Sequence, residues 1–272
     1  MIFPDYHLHT LFSSDCDSDV DSVISAARAK GMQHICITDH YDMDYPVNPK
    51  APDLTFNLDE CTYYDYMDNC KSNLKDFELH IGIELGVTKD NIAGLNAFAG
   101  NKDRYDFFIA SSHLVDNMDP YYGDYFCDKT DYEAYAGYFE TILHNVKNFK
   151  HYNVYGHLDY ILRYGKSKAA DFKASDYYDI FKEIFDIIIH DGKGIEINTG
   201  GLYKGLGFCH PHSDILKMYK EAGGEIITVG SDAHSPQYVG YGFDIARELL
   251  IDSGFRYYCT FSHQKPLFNK IV

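Results

Sequence analysis

The chain has 272 residues, a length that admits two domains of ~150 residues each or one α/β barrel of roughly 250. Apolar residues make up 45% and charged residues 24%, enough to bury a sizeable core and to exclude disorder as the overall state. With 24 Lys and Arg against 41 Asp and Glu the net charge is −17, which disfavours extended nucleic acid and anionic membranes as partners, so an anionic substrate must meet a local positive charge.

In chain order, β-rich runs at 2–7, 34–38, 79–85, 107–111, 153–156, 194–198, 226–230 and 257–261 alternate with stretches of helical character. The expected helices cover 20–30, 58–75, 132–149, 177–190, 214–222 and 239–253. Several stop at a glycine, among them Gly31, Gly192, Gly223 and Gly254, the usual C-cap signal. Strand alternating with helix, with no Pro- or Ser-rich linker, predicts parallel βα units in a single domain over 1–272. Two stretches break the pattern. Residues 41–57 contain Pro46, Pro49 and Pro52 and form either a lid or binding loop or a solvated surface excursion. Residues 200–207 are glycine-rich but do not form a Walker loop.

The first residues lack the basic segment and apolar stretch of a signal peptide, and no run approaches the ~20 apolar residues of a membrane span. The 7 cysteines are scattered without a CxxC pair, so neither a disulfide framework nor a thiolate zinc site is expected. The expectation is a cytoplasmic protein.

Metal-ligand residue types fall at the ends of the expected strands: His7 and His9, Asp39 and His40, Glu84, His113, His157 and Asp159, Glu196, Asp232 and His234. In a parallel barrel all carboxyl ends open on one face, so these residues converge. The i, i+2 spacing of His7/His9 and Asp232/His234 points both members of each pair the same way. Imidazole with carboxylate suits Zn, Mn or Fe, and so many candidates imply a cluster rather than one ion. His34, His80, His144, His151, His190 and His263 lie away from strand ends, where surface roles suffice. His210 and His212, in a loop before a helix, are either substrate contacts or ordinary loop residues.

The motifs His7-Leu8-His9-Thr10, Ile37-Thr38-Asp39-His40, Ile83-Glu84, Ser112-His113, Gly156-His157-Leu158-Asp159 and Gly230-Ser231-Asp232-Ala233-His234 resemble, in order, those of the polymerase and histidinol phosphatase (PHP) family, and within it the histidinol-phosphatase branch. The resemblance implies an α/β fold, a single distorted TIM-like (β/α)7 barrel holding two to three divalent metals at its carboxyl face. By motif position His7, His9, Glu84 and Asp232 hold the first metal, Glu84 bridges to a second held by His113 and His157, and Asp15, His40 and His234 hold the third. Some relatives carry His at the Asp15 position, and Asp17 competes for that role.

The implied chemistry is in-line attack on a phosphomonoester by a hydroxide bridging two metals, with Glu84, Asp232 and Arg163 as catalytic residues. Arg163 resembles a phosphate clamp. Lys204, beside Tyr203, stands where relatives often carry a second arginine. Lys204, Tyr203, Glu196 and His210 are expected to contact substrate, and Glu196 and Asp159 are alternatively orienters behind the ligands. The implied activity is hydrolysis of L-histidinol phosphate to L-histidinol and phosphate, in histidine biosynthesis. Alternatives are a PHP-type phosphoesterase acting on nucleotides or short oligonucleotides, and a metal-dependent amidohydrolase. A metal-stabilised binding module would show missing ligands, and none is missing. A third cation helps a dianionic phosphate and is superfluous for an amide. The general acid, the native metal and the oligomeric state stay open.

Overall fold

Residues 3–100 and 102–271 are described by a computed structural model. From the N-terminus the elements are α1 (Val20–Ala29), β1 (His34–Ile37), β2 (His40–Tyr41), α2 (Glu60–Asn73), β3 (Glu78–Gly86), α3 (Ile92–Ala99), β4 (Phe107–Ser111), α4 (Asp131–Asn148) and β5 (Val154–Tyr155). There follow α5 (Tyr178–His190), β6 (Gly194–Asn198), α6 (Gly200–Tyr203), α7 (Ser213–Glu221), β7 (Ile227–Gly230), α8 (Phe243–Asp252), β8 (Tyr257–Ser262) and β9 (Lys265–Lys270).

Local chemistry sets the helix starts. The Asp19 and Asp59 carboxylates accept from backbone amides in the first turns of α1 and α2, and Thr130 with Glu133 forms a reciprocal capping box on α4. Helix α5 buries Phe181, Ile184, Phe185 and Ile188, the i, i+3, i+4, i+7 stripe of an amphipathic helix packed on a sheet.

Strands β1, β3, β4, β5, β6 and β7 pair in that order, all parallel, and β2 extends the pairing on β3. Residues 5–9 complete the ring. On one side Tyr6 donates to the Val229 carbonyl at 3.0 Å, and on the other Cys36 and Thr38 donate to the carbonyls of Asp5 and Leu8 at 2.9 and 2.8 Å. The first expected strand is therefore present as an extended segment with one formal bridge, Leu8 to Ala233. Ile2, at its expected start, lies outside the described residues. The architecture is the α/β, distorted TIM-like barrel of (β/α)7 type.

Three expectations are corrected. Strand β8 does not join the barrel: it pairs antiparallel with β9. From that hairpin Cys259 and Phe261 pack with Tyr6, Cys36, Phe107 and Val154, residues near the strand starts, and so cover the amino-terminal end of the barrel. Helix α3 stands where no helix was expected, and α8 begins at Phe243 instead of residue 239 because 236–238 form a separate 3-10 turn. Among the described residues no helix is long and apolar enough to cross a membrane.

Candidate active site

Each barrel strand runs apolar through the core and turns polar at its carboxyl end, which is why the ligand-type residues meet. Leu8 is fully buried in the main core while its neighbours His7 and His9 turn to the opposite side, the consequence of two-residue periodicity. Glu84, on β3 and in register with His40 of β2, is the hub. Its Oε1 lies 2.8 Å from His157 Nε2 and 3.2 Å from His113 Nε2, and accepts from the Ser111 hydroxyl at 2.6 Å. Its Oε2 lies 3.1 Å from His7 Nε2, 3.0 Å from His40 Nδ1 and 3.5 Å from His9 Nε2. His9 Nε2 is 3.6 Å from Asp232 Oδ1, and Asp15 Oδ2 is 3.2 Å from His234 Nε2 and 3.9 Å from His40 Nε2. The residues that the resemblance assigns to metals thus fall in one cluster, whereas Asp39 and Asp159, also ligand types at strand ends, bond elsewhere. Asp17, the competitor of Asp15, is not part of these contacts.

Close approach is built into the scaffold. A Cβ at Gly230 would collide with the Cβ of His7, so the segment carrying His7 can lie against β7 only where β7 has a glycine. Asp232 takes φ +55, a left-handed conformation uncommon outside glycine and best tolerated by Asp and Asn. The turn is held by Asp232 N donating to the His7 carbonyl at 2.8 Å and by the Tyr203 hydroxyl 2.7 Å from the Asp232 carbonyl.

The charges are frustrated within the protein. Burial disfavours the ionised form of Glu84, yet the imidazoles of His7, His40 and His113 outweigh burial and hold it well below the carboxylate range. Burial also disfavours charged His7, and here the Glu196 and Glu84 carboxylates win and push it well above the imidazole range. For His9, burial acts together with His234 and His40 and drives it well below that range.

His7 Nε2, His9 Nε2, His40 Nδ1 and Glu84 Oε2 are buried and have no hydrogen-bond partner, a cost of several kcal/mol that divalent cations would offset. Four groups place their ligand atoms within 4.8 Å of one another: His7, His9 and Asp232; His7, Glu84 and His157; His9, His40 and His234; and His40, Asp42 and His113. The donor set fits bound divalent metal.

Above the cluster opens a cavity of about 670 Å³ whose lining includes Asp15, His40, His113, His157, Asp232 and His234 with Arg163 and Lys204. Lys204 Nζ is 3.1 Å from Asp232 Oδ2, and Arg163 Nη2 is 4.0 Å from the same oxygen. Three residues expected to contact substrate do not line this cavity. Glu196 holds His7 Nδ1 at 2.9 Å, the Tyr203 hydroxyl is occupied by backbone carbonyls, and His210 lies behind Arg163, its Nε2 3.2 Å from Nη2. Asp159 holds His210 Nδ1 at 2.6 Å and accepts from His212 N at 2.7 Å, so the His210 and His212 loop is tied down from behind.

Sequence reasoning passed over Asp42, whose Oδ2 lies 2.7 Å from His113 Nδ1; Asp39, noted among the ligand types at strand ends, instead accepts from Thr10 and Ser13 and fixes the loop after His9. Asp39 was visible at a strand end. Asp42 carried no signal beyond its place two residues after His40. The 41–57 stretch is no detached surface excursion: its Tyr45, Lys50, Ala51, Leu54 and Phe56 line the cavity.

Residues 5–200 match the PHP domain. The chain belongs to the PHP family. Among PHP relatives, the histidinol-phosphatase of Lactococcus lactis is 32% identical over 268 residues, covering 98% of this chain and 97% of the relative. A probable histidinol-phosphatase of Thermotoga maritima is 34% identical over 247 residues, covering 90% of each. The crystal structure of histidinol phosphate phosphatase from Lactococcus lactis, complexed with zinc, L-histidinol and phosphate, is similar with a TM-score of 0.86 at 31% identity, covering 97% of this chain and 98% of that one. A Listeria monocytogenes structure at 19% identity and TM-score 0.77 shares the PHP fold.

Proposed function

We propose that residues 1–272 act as one cytoplasmic hydrolase domain that cleaves L-histidinol phosphate to L-histidinol and phosphate with the help of divalent metals. The observation that carries the reaction is the placement of two cationic side chains, Arg163 and Lys204, on the wall of a cavity floored by convergent imidazoles and carboxylates. That arrangement suits a phosphate dianion and has no use for a neutral amide. The substrate assignment is supported by the relatives called histidinol-phosphatase and by the L-histidinol and phosphate held in the Lactococcus lactis structure.

The donor sets support His7, His9, Glu84 and Asp232 around a first metal, Glu84, His113 and His157 around a second, and Asp15, His40 and His234 around a third. Zn, Mn and Fe all suit these donors. Bound there, such ions lower the pKa of water and neutralise phosphoryl charge. The protein's own residues do the rest. The planar guanidinium of Arg163 offers two parallel donors to phosphate oxygens, and Lys204 adds a point charge. Glu196 and Asp42, on the far nitrogens of His7 and His113, fix how each ring faces the floor.

The deciding experiment assays purified protein, with its metal content measured, on L-histidinol phosphate, other phosphomonoesters and an amide panel under Zn or Mn. We expect two to three divalent ions per chain, in keeping with the ~4 ligands each one takes, and loss of both metal and turnover in His9→Ala. Full turnover after metal stripping overturns the reaction; equal turnover of unrelated phosphomonoesters overturns the substrate.

A further inference from the structure

The cavity has two faces of opposite character. One is ionic, the ligand cluster with Arg163 and Lys204; the other is aromatic, Tyr45, Phe56, Tyr121, Tyr122, Tyr160 and Tyr164 with the carboxylate of Asp119 among them, and Tyr160, whose ring lies 5.0 Å from the Arg163 guanidinium, joins the two. Asp119 accepts from the Tyr45 hydroxyl at 2.7 Å and from the Tyr121 amide at 2.8 Å. Both donors are neutral, so they orient the carboxylate without cancelling its charge. Burial raises its pKa against these hydrogen bonds and the nearby His113 imidazole, with Asp42 adding like charge, so ionised Asp119 carries a net cost in the protein alone. Nearby, Asp42 Oδ1 is a buried carboxylate oxygen without a partner, and its residue lines the same cavity. An anion ringed by aromatic faces is the setting that binds an organic cation, through Coulomb attraction and cation–π contact together.

We infer that Asp119, held by Tyr45 and backed by Asp42, is the specificity determinant that selects phosphomonoesters whose organic part carries a positive charge. The inference deepens the proposed function and rests on it for the seat of the phosphate. With the phosphate against Arg163 and Lys204, the organic part extends into the aromatic collar. A primary ammonium or imidazolium there meets Asp119, whereas a neutral ring of the same size meets only the tyrosines. Tyr45 and Asp119 also join the 41–57 loop to the segment before Tyr121, so the recognising carboxylate is set at a junction of two loops rather than on a strand end.

The test compares kcat/KM of the metal-loaded enzyme for L-histidinol phosphate and for phenyl phosphate, a flat neutral counterpart, in wild type and Asp119→Asn. The amide is isosteric, keeps Oδ1 as an acceptor for the Tyr121 amide, and lets the Tyr45 hydroxyl turn to accept from the new Nδ2. The ratio of the two kcat/KM values should fall about tenfold or more, carried by KM for the cationic substrate, with phenyl phosphate unchanged. Binding of L-histidinol alone, followed by calorimetry, should weaken in parallel. Tyr45→Phe, which removes the orienting donor and leaves the charge, should shift the ratio the same way by less, and serves if the first variant melts early. An unchanged ratio, or equal losses on both substrates, overturns the inference. A wild type that cleaves phenyl phosphate and binds no L-histidinol overturns it as well. A wild type that binds L-histidinol and loses that binding in Asp119→Asn, yet does not cleave the phosphate ester, supports Asp119 and sinks the proposed reaction instead.

Discussion

Arginine can only donate hydrogen bonds, and this fixes the protonation of the residue behind it. His210 Nε2 must accept from Arg163, so the proton sits on Nδ1 and is donated to Asp159. Two residues, His210 and behind it Asp159, therefore aim one guanidinium. Arg163→Ala should raise KM for phosphomonoesters tenfold or more, in line with losing ~1.5–3 kcal/mol of charged hydrogen bonding, with a smaller effect on kcat. His210→Ala should give the same split at a lower magnitude, because the arginine stays but loses its aim. Steady-state kinetics decides, and a His210→Ala effect confined to kcat would break the argument. At Asp232 the left-handed φ constrains the choice of control: Asp232→Asn keeps a residue that tolerates the conformation, so loss of metal with a melting temperature equal to that of metal-free wild type isolates the carboxylate's charge.

Among the elements, the β8–β9 hairpin shows most plainly what the sequence could and could not say. Its turn, His263-Gln264, has φ 48 and 60, both left-handed, where Asn-Gly would be the easy choice. The strain is held by Asp106, which accepts from His263 N at 3.0 Å and, through its carbonyl, from Gln264 N at 2.8 Å. Asp106 also takes Lys71 Nζ at 3.0 Å while 2% of its side chain is exposed. His263→Asn should therefore stabilise by ~0.5–1 kcal/mol, and Asp106→Ala should destabilise by ~3–5 kcal/mol, both read by denaturant melts.

The alternating apolar run of β8 was legible as a strand, but nothing local distinguishes a barrel strand from half of a hairpin, and β9, with Lys265, Pro266 and Lys270, has no buried face to announce it. Helix α3 is short, contains Gly94 and lacks a side-chain cap, so its signal is weak. The metal-ligand cluster was legible because strand ends are where the barrel topology forces convergence. Asp42 and Asp119 act from loops, whose paths no periodicity encodes, and Glu196 and His210 were read as substrate contacts because their types fit, though their packing turns them inward.

Over the whole molecule, the balance of charge governs stability twice. Cations bound at the floor would relieve buried, unpartnered ligand atoms, so metal-free protein should melt roughly 5–15 °C lower, for a binding contribution of ~3–4 kcal/mol. A scanning melt with and without chelator measures it, and a shift within error would place the cluster's stability elsewhere. Acid acts at the surface side. Glu60 is held at about 2 because hydrogen bonds from Arg104, Lys102 and Tyr105 outweigh burial, which alone would raise it. Asp106 is depressed likewise, burial being outweighed by hydrogen bonds from His80, His263 N, Ile81 N and Lys71. Both are depressed carboxylates, so their contribution is full above the ordinary value of about 4 and fades as pH falls toward 2. Glu60→Gln should flatten the acid limb of stability between those limits by lowering the plateau at neutral pH, where the lost contribution is full, with the two proteins converging as pH approaches 2.

The hairpin that stoppers the amino-terminal end has a kinetic corollary. With Phe261 and Cys259 filling that end, arrivals and departures share the collar of tyrosines, and depth becomes order: the alcohol, lying outermost, leaves first, and inorganic phosphate, seated deepest, leaves last. Inorganic phosphate should then inhibit competitively against substrate and the alcohol noncompetitively. The reverse pattern would mean a back door through the hairpin.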